Sequence, residues 1–184
     1  MNRYPALIGL LALVTLPSCQ TQYETLSLDS PQSEIPVGSR IELHQPLNLY
    51  PGYSRSFIQS GHSEPFSNID QRLPFCQFIR YEPPKALETL RVISPDEFRV
   101  TQSDQTTETG MFALSILVST GSSGIKQTED QLLSSTLTIT SEKQPDIVSL
   151  KCSILDQPDL WNFVSVNQIK VVLGDIASIK ISLP

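Results

Sequence analysis

From residue 40 onward apolar positions recur with period two, the spacing of a β-strand that buries one face. Ile41, Leu43, Leu47 and Leu49 alternate with Glu42, His44, Pro46 and Asn48, and Pro51-Gly52 then turns the chain. Pro46 has no N–H to give a ladder, so an exposed edge strand or a bulge is expected there. Residues 55–59 read as a short strand, and the polar stretch 61–74 as the longest loop of the domain. Residues 75–81 form the next strand, with Cys76 and Phe78 on one face, stopped by Pro83-Pro84. The runs 87–93 and 98–102 flank Ser94-Pro95-Asp96-Glu97. The fixed φ of Pro95 favours a turn there, and a hairpin is expected.

Residues 111–118 are almost continuously apolar and predict a central strand, followed by Gly121-Ser122-Ser123-Gly124 as a flexible connection. Residues 132–141 set Leu137 and Ile139 against Thr136, Thr138 and Thr140, a strand with one wet face. In the strand around Cys152, Val148, Leu150, Cys152 and Ile154 share the apolar side, while Ser149, Lys151 and Ser153 share the other. One helix is expected, from Val166 to Leu173. Ser165 and Gln168 have capping-box spacing, Val164 and Ile169 can staple the entry, and Gly174 supplies the stop. Residues 176–183 end the chain as a strand. The whole predicts a mainly β protein, an antiparallel β-sandwich with one short C-terminal helix and an N-terminal tether.

The first 18 residues have a different character. Arg3 precedes an apolar run too short for a comfortable transmembrane helix, and a small residue precedes Cys19, the layout of a bacterial export signal. Leu16-Pro17-Ser18-Cys19 resembles the lipobox of bacterial lipoproteins, with Leu, Ser and Cys in the family positions and Pro17 a departure from the usual small or β-branched residue. The resemblance implies cleavage before Cys19, a diacylglycerol on its thiol and an acylated amine, which together anchor firmly where one chain holds only marginally. The usual inner-membrane retention signal is an aspartate after the cysteine. Gln20 in its place implies the outer membrane of a Gram-negative cell. The expected organisation is therefore a signal at 1–18, a lipidated N-terminus and linker at 19–39, and a β-domain at 40–184. Tyr23, Leu26, Leu28 and Ile35 are the linker residues able to dock on the domain.

Charge narrows the partners. With 13 basic against 19 acidic residues the chain has a net charge of −6, unlike a nucleic-acid binder, which needs clustered Lys and Arg. The membrane is thus expected as a partner through the N-terminal lipid, with an envelope protein as a further partner. Nothing in the sequence specifies an oligomeric state. Cys19, Cys76 and Cys152 are the three cysteines. With Cys19 lipidated in an oxidising compartment, Cys76 and Cys152 fit an inter-strand or inter-sheet disulfide, the alternatives being two free buried thiols or a redox pair.

Catalytic patterns are sparse. His44 and His62 have no Cys, Asp or Glu at ligand spacing, so neither a metal nor a cofactor is expected. The sequence has no nucleophile elbow, P-loop or dinucleotide fingerprint, although a dispersed Ser-His-Asp triad has no fixed order. Asp96-Glu97 and Glu129-Asp130 read as solvated turn charges, and Trp161, with Leu160 and Phe163, as core packing at the helix entry. Phe75-Cys76, the segment Ser94-Pro95-Asp96-Glu97-Phe98-Arg99-Val100, Leu150-Lys151-Cys152 and Leu173-Gly174 resemble a group of uncharacterised Gram-negative envelope lipoproteins. That resemblance supports the disulfide and the fold and assigns no activity. The function expected is a non-catalytic binding or envelope-assembly module, with an adhesion or shielding module and an envelope hydrolase as alternatives. Binding residues often sit on loops held by a rigid scaffold. The candidate contact residues are accordingly Gly61, His62, Glu64 and Phe66 in the 61–74 loop.

Overall fold

The computed structural model describes residues 27–81, 89–109, 130–157 and 161–182. The expected signal, Cys19, the strand 111–118 and the connection Gly121–Gly124 lie outside the described residues. The described strands are β1 (Arg40–Leu43), β2 (Leu47–Leu49), β3 (Arg55–Gln59), β4 (His62–Glu64), β5 (Phe75–Arg80), β6 (Arg91–Ile93), β7 (Asp96–Thr109), β8 (Gln131–Thr140), β9 (Ile147–Asp156) and β10 (Ala177–Lys180). Helix α1 spans Val166–Leu173. The protein is mainly β, as the alternation predicts. Eight strands form one curled antiparallel sheet in the order β10-β1-β7-β8-β9-β5-β3-β4, and β2 and β6 pair as a separate ribbon.

The apolar face of that sheet, with Ile41, Phe78, Phe98, Leu137 and Leu150, packs against two covers. The ribbon contributes Leu47, Leu49 and Ile93, and α1 contributes Val166, Ile169, Val172 and Leu173. Each such side chain adds about 1.5–3 kcal/mol when taken fully from water. The helix forms as its local signals predict. Ser165 accepts from the Gln168 backbone, the Gln168 side chain returns to the Ser165 N–H, and Gly174 closes the helix with φ +51°.

Three expectations change. The alternation from Ile41 to Leu49 is two strands, because the chain bends at His44–Pro46, where the N–H groups of His44 and Gln45 both reach the Ile176 carbonyl. β1 lies inside the sheet between β10 and β7, and the sheet's edges are β10 and β4. The residues around Pro95 make no hairpin. β6 pairs with β2, whereas β7 pairs with β1 and β8, so Ser94-Pro95 is a crossing between sheets. Finally, β7 is 14 residues long where the apolar pattern supports only five, since its distal half is polar on both faces and is held by backbone pairing to β8.

Residues 27–39, expected as part of a linker, are packed on the domain. Ile35 is buried in the core with Leu28 against it, the Asn167 N–H bonds the Leu28 carbonyl, and the Gln105 amide reaches the Pro31 carbonyl. The Gly38 N–H to Val100 carbonyl and Val100 N–H to Ser39 carbonyl bonds extend the β1–β7 ladder backward.

Cys76 and Cys152 are bonded, and they stand directly opposite each other on the neighbouring strands β5 and β9. The bridge is therefore inter-strand within one sheet, its sulfurs in the main core. It closes a loop between residues 76 positions apart. Cys76→Ser and Cys152→Ser are each expected to lower unfolding free energy by about 2–4 kcal/mol. The double variant should lose no more than either single one; additive losses in denaturant titrations would contradict a shared bridge.

A second tie is ionic. The Asp146 carboxylate receives both Nε and Nη2 of Arg91 at 3.2 Å and lies 2.9 Å from the Arg80 Nε, joining the end of β5, the ribbon and the turn before β9. Burial works against ionisation of Asp146, but the hydrogen bonds and charge of Arg91, with the charge of Arg80, outweigh it and hold its pKa below the ordinary carboxylate value. Asp96 is not the solvated turn charge expected, since its side chain is 5% exposed. Burial again opposes ionisation there, and Ser141, the Glu97 N–H, Gln144 and Lys143 more than offset it. Both groups bind protons less tightly folded than unfolded. The stability they add is complete above the unfolded value of about 4 and is lost as pH falls through the lower folded values. The unfolding temperature should thus be level from neutral pH to about pH 5 and fall below about pH 4. Asp146→Asn should lower it at neutral pH and flatten the acid fall; an unchanged acid profile in that variant would contradict this assignment.

Candidate functional site

The sheet has apolar groups on its other side as well. Phe57 on β3 and Phe75 on β5 project opposite to Ile58 and Cys76, and with Ile69 they form a second small cluster against Phe66 and Leu132. The segment following β4 covers it. A one-turn 3-10 helix, Phe66–Asn68, starts after Pro65, and its Phe66 ring lies 5.1 Å from that of Phe57. The Gln59 side chain clamps this cover from β3, donating to the Asp70 carbonyl at 2.8 Å and accepting from the Asp70 N–H at 3.0 Å. Arg72 pairs with Asp130 at 2.7 Å, and the Leu155 N–H reaches the Gln71 carbonyl at 2.7 Å.

The cover leaves an aromatic cleft toward the Tyr50–Tyr53 turn. Pro51 and Gly52 occupy the centre of that turn, Gly52 has φ +85°, and the Tyr53 N–H bonds the Tyr50 carbonyl at 3.0 Å. Proline first and a positive-φ glycine second is the type II preference. The turn presents Tyr50 and Tyr53 to solvent, 59% and 57% exposed. One lobe of about 280 Å³ is floored by Phe57, Phe75, Gln77 and Leu132. A second, of about 500 Å³, is lined by Asn48, Tyr50, Glu64 and Pro65 among others, and the lobes share Tyr53, Arg55, Phe57 and Phe66. Gln77 in the floor is 2% exposed and accepts from the Arg55 guanidinium at 3.4 Å. Glu64 accepts from the Asn68 amide at 3.1 Å. The volumes and the few polar groups among aromatic walls are those of small-ligand sites.

The four loop residues named from sequence divide. Glu64 and Phe66 line the cleft. Gly61 does not: with Ser60 it makes a two-residue hairpin turn between β3 and β4, both at positive φ, so residues 62–64 are strand rather than loop. Two positive φ values are the type I′ signature. The Gly61 N–H bonds the Val172 carbonyl, and a Cβ added to Gly174 would stand 2.7 Å from the Gly61 Cα. That glycine pair seats the hairpin tip on the C-terminal end of α1. His62 is exposed on β4, opposite Gln59.

His44 hydrogen-bonds the Ser178 hydroxyl at 2.9 Å on the exposed face of β1 and β10. The nearby Glu42 carboxylate is bonded to Lys180, which holds its pKa below the ordinary value, so it is engaged with the lysine rather than with the imidazole. Among the described residues no group of three His, Cys, Asp or Glu side chains is placed to hold a metal, and no helix is long and apolar enough to cross a membrane. Trp161, expected in the core, is 58% exposed; Phe163 beside it is the buried ring. No family model, curated protein or solved structure matches the chain.

Tyr50, Tyr53, Arg55, Phe57, Phe75 and Gln77 are the cleft residues that sequence reasoning missed. The available signals were two tyrosines flanking Pro-Gly and the apolar residues on both sides of β5. The Gln59 clamp makes a separate expectation. Gln59→Ala should leave global unfolding within about 2 kcal/mol of the parent while raising amide exchange across residues 65–74; unchanged exchange there would show that the cover is held without it.

Proposed function

We propose that the chain is an outer-membrane lipoprotein, lipid-anchored at Cys19 on the periplasmic side, whose β-domain is a non-catalytic binding module for an envelope partner or ligand. The observation that carries the binding reading is the aromatic cleft, where a rigid turn and a clamped cover bring solvent-facing tyrosines beside Arg55, Glu64 and Gln77. The sequence at Leu16-Pro17-Ser18-Cys19 supports the anchor.

The short sequence distance between Cys19 and the described domain supports a tethering role. Seven residues, 20–26, separate Cys19 from Ser27, where the described domain begins. Even fully extended they reach roughly 25–30 Å. The domain is confined to a thin layer beside the membrane, which raises its effective concentration for partners in that layer.

Cys19→Ala is expected to move the protein from the membrane to the soluble fraction, and continued membrane retention would contradict the anchor. For the binding role, a photo-crosslinking side chain at Phe66 of the otherwise native lipoprotein, activated in its own envelope, should give one dominant adduct by mass spectrometry of peptides and glycans. Tyr53→Ala should remove that adduct. A scatter of abundant neighbours, unchanged by Tyr53→Ala, would end the binding-module reading. Protease access to the domain in intact cells would replace the periplasmic placement with surface display.

A further inference from the structure

We infer that the cleft binds a saccharide, a short run of neutral sugar rings; this names the ligand class for the binding-module reading and rests on it. The lining matches a sugar in shape and polarity. A pyranose ring is flat, with C–H groups on its faces and hydroxyls around its edge. Its complement is an aromatic face bordered by planar groups that both donate and accept. Tyr53 and Phe66 supply such rings to the lining of both lobes, and a tyrosine adds a hydroxyl to an apolar body. Arg55 offers donors, Glu64 acceptors, and Asn48 offers both.

The lining has one cation, Arg55, and one carboxylate, Glu64. An anion gains from the first and is repelled by the second, and a cation meets the reverse. A neutral polyhydroxylated ligand bonds to both without either penalty. Other ligand classes fit the cleft less well. An acyl chain laid along the groove would strip water from the exposed Arg55 guanidinium and the Glu64 carboxylate and offer neither a hydrogen bond in return. A peptide added as a strand to the main sheet would need its free edge at the cleft, and that edge is β4, three residues long and closed by Pro65, which has no N–H. Finally, two adjoining lobes that share four lining residues offer more room than one ring fills, which suits linked rings.

The test uses the full chain in detergent on an array of linear tetra- and hexasaccharides of neutral hexoses and N-acetylhexosamines. Saturable retention is expected on at least one chain type. Tyr53→Ala and Phe66→Ala should each weaken it tenfold or more, and Tyr53→Phe, which keeps the ring, should retain most of it. Unfolding temperatures check that each variant is folded, and the exposed Tyr53 guards against Phe66→Ala failing to fold. No retention on any saccharide, or retention equal in Tyr53→Ala and parent, overturns the inference. Retention of a fluorescent fatty acid or of a peptide library in place of saccharides also overturns it, while leaving the cleft as a binding site. Loss of the Phe66 crosslink in the envelope as well would take the binding-module reading with it.

Discussion

Strand β5 carries apolar side chains toward both sides of the sheet, Cys76 and Phe78 to one and Phe75 to the other, and water can be left on neither. The rest of the architecture answers that demand. On the first side the ribbon β2–β6 and helix α1 close over a large core. On the second, where neighbouring positions turn polar at Lys151, Thr136 and Asp104, only a local cover is needed, and residues 65–74 supply it. The disulfide ties β5, which supplies side chains to both clusters, to its neighbour β9.

A partial cover has a functional consequence. Were residues 65–74 longer or more apolar, they would seal Phe57 and Phe75 completely and leave no cavity. As built, the Phe66 ring caps one side of Phe57, and the space toward Tyr53 stays open. Both walls are rigid for local reasons: one is a Pro-Gly turn, the other is pinned by the paired Gln59 hydrogen bonds. A pre-formed cleft of this kind binds without first ordering its own loops, so less of the interaction energy is lost to entropy.

How much of this was legible depends on range. Helix α1 is written within ten residues, Ser165 to Gly174, and its cap and stop are local chemistry. The Cys76–Cys152 pairing was legible from parity, because both cysteines alternate with core residues in strands. The distal half of β7 was not. Thr-Gln-Ser-Asp-Gln-Thr-Thr-Glu-Thr has no apolar period, and its strand state comes from a partner some thirty residues later in the chain. The break at Pro46 was hidden for the opposite reason: the alternation runs through it, although its two halves serve different sheets. The site shows the same divide. Glu64 and Phe66 were reachable from their loop composition, while Arg55 and Gln77 become neighbours only through the β3–β5 pairing.

The path of β3 also gives the cleft a direction. Arg55 opens the strand at the cleft, and Gln59 ends it before the Ser60-Gly61 tip that rests on α1. Beside that tip runs a groove of about 310 Å³ lined by Ser60, Asn167 and Asp29, with Asp29 bonded to the Asn167 amide at 2.6 Å. Five strand residues at about 3.3 Å each put the cleft end of β3 some 15 Å farther along the sheet. The tyrosines thus stand at the opposite end of β3 from the hairpin tip, so a ligand in the cleft leaves the contact between Gly61 and α1 undisturbed.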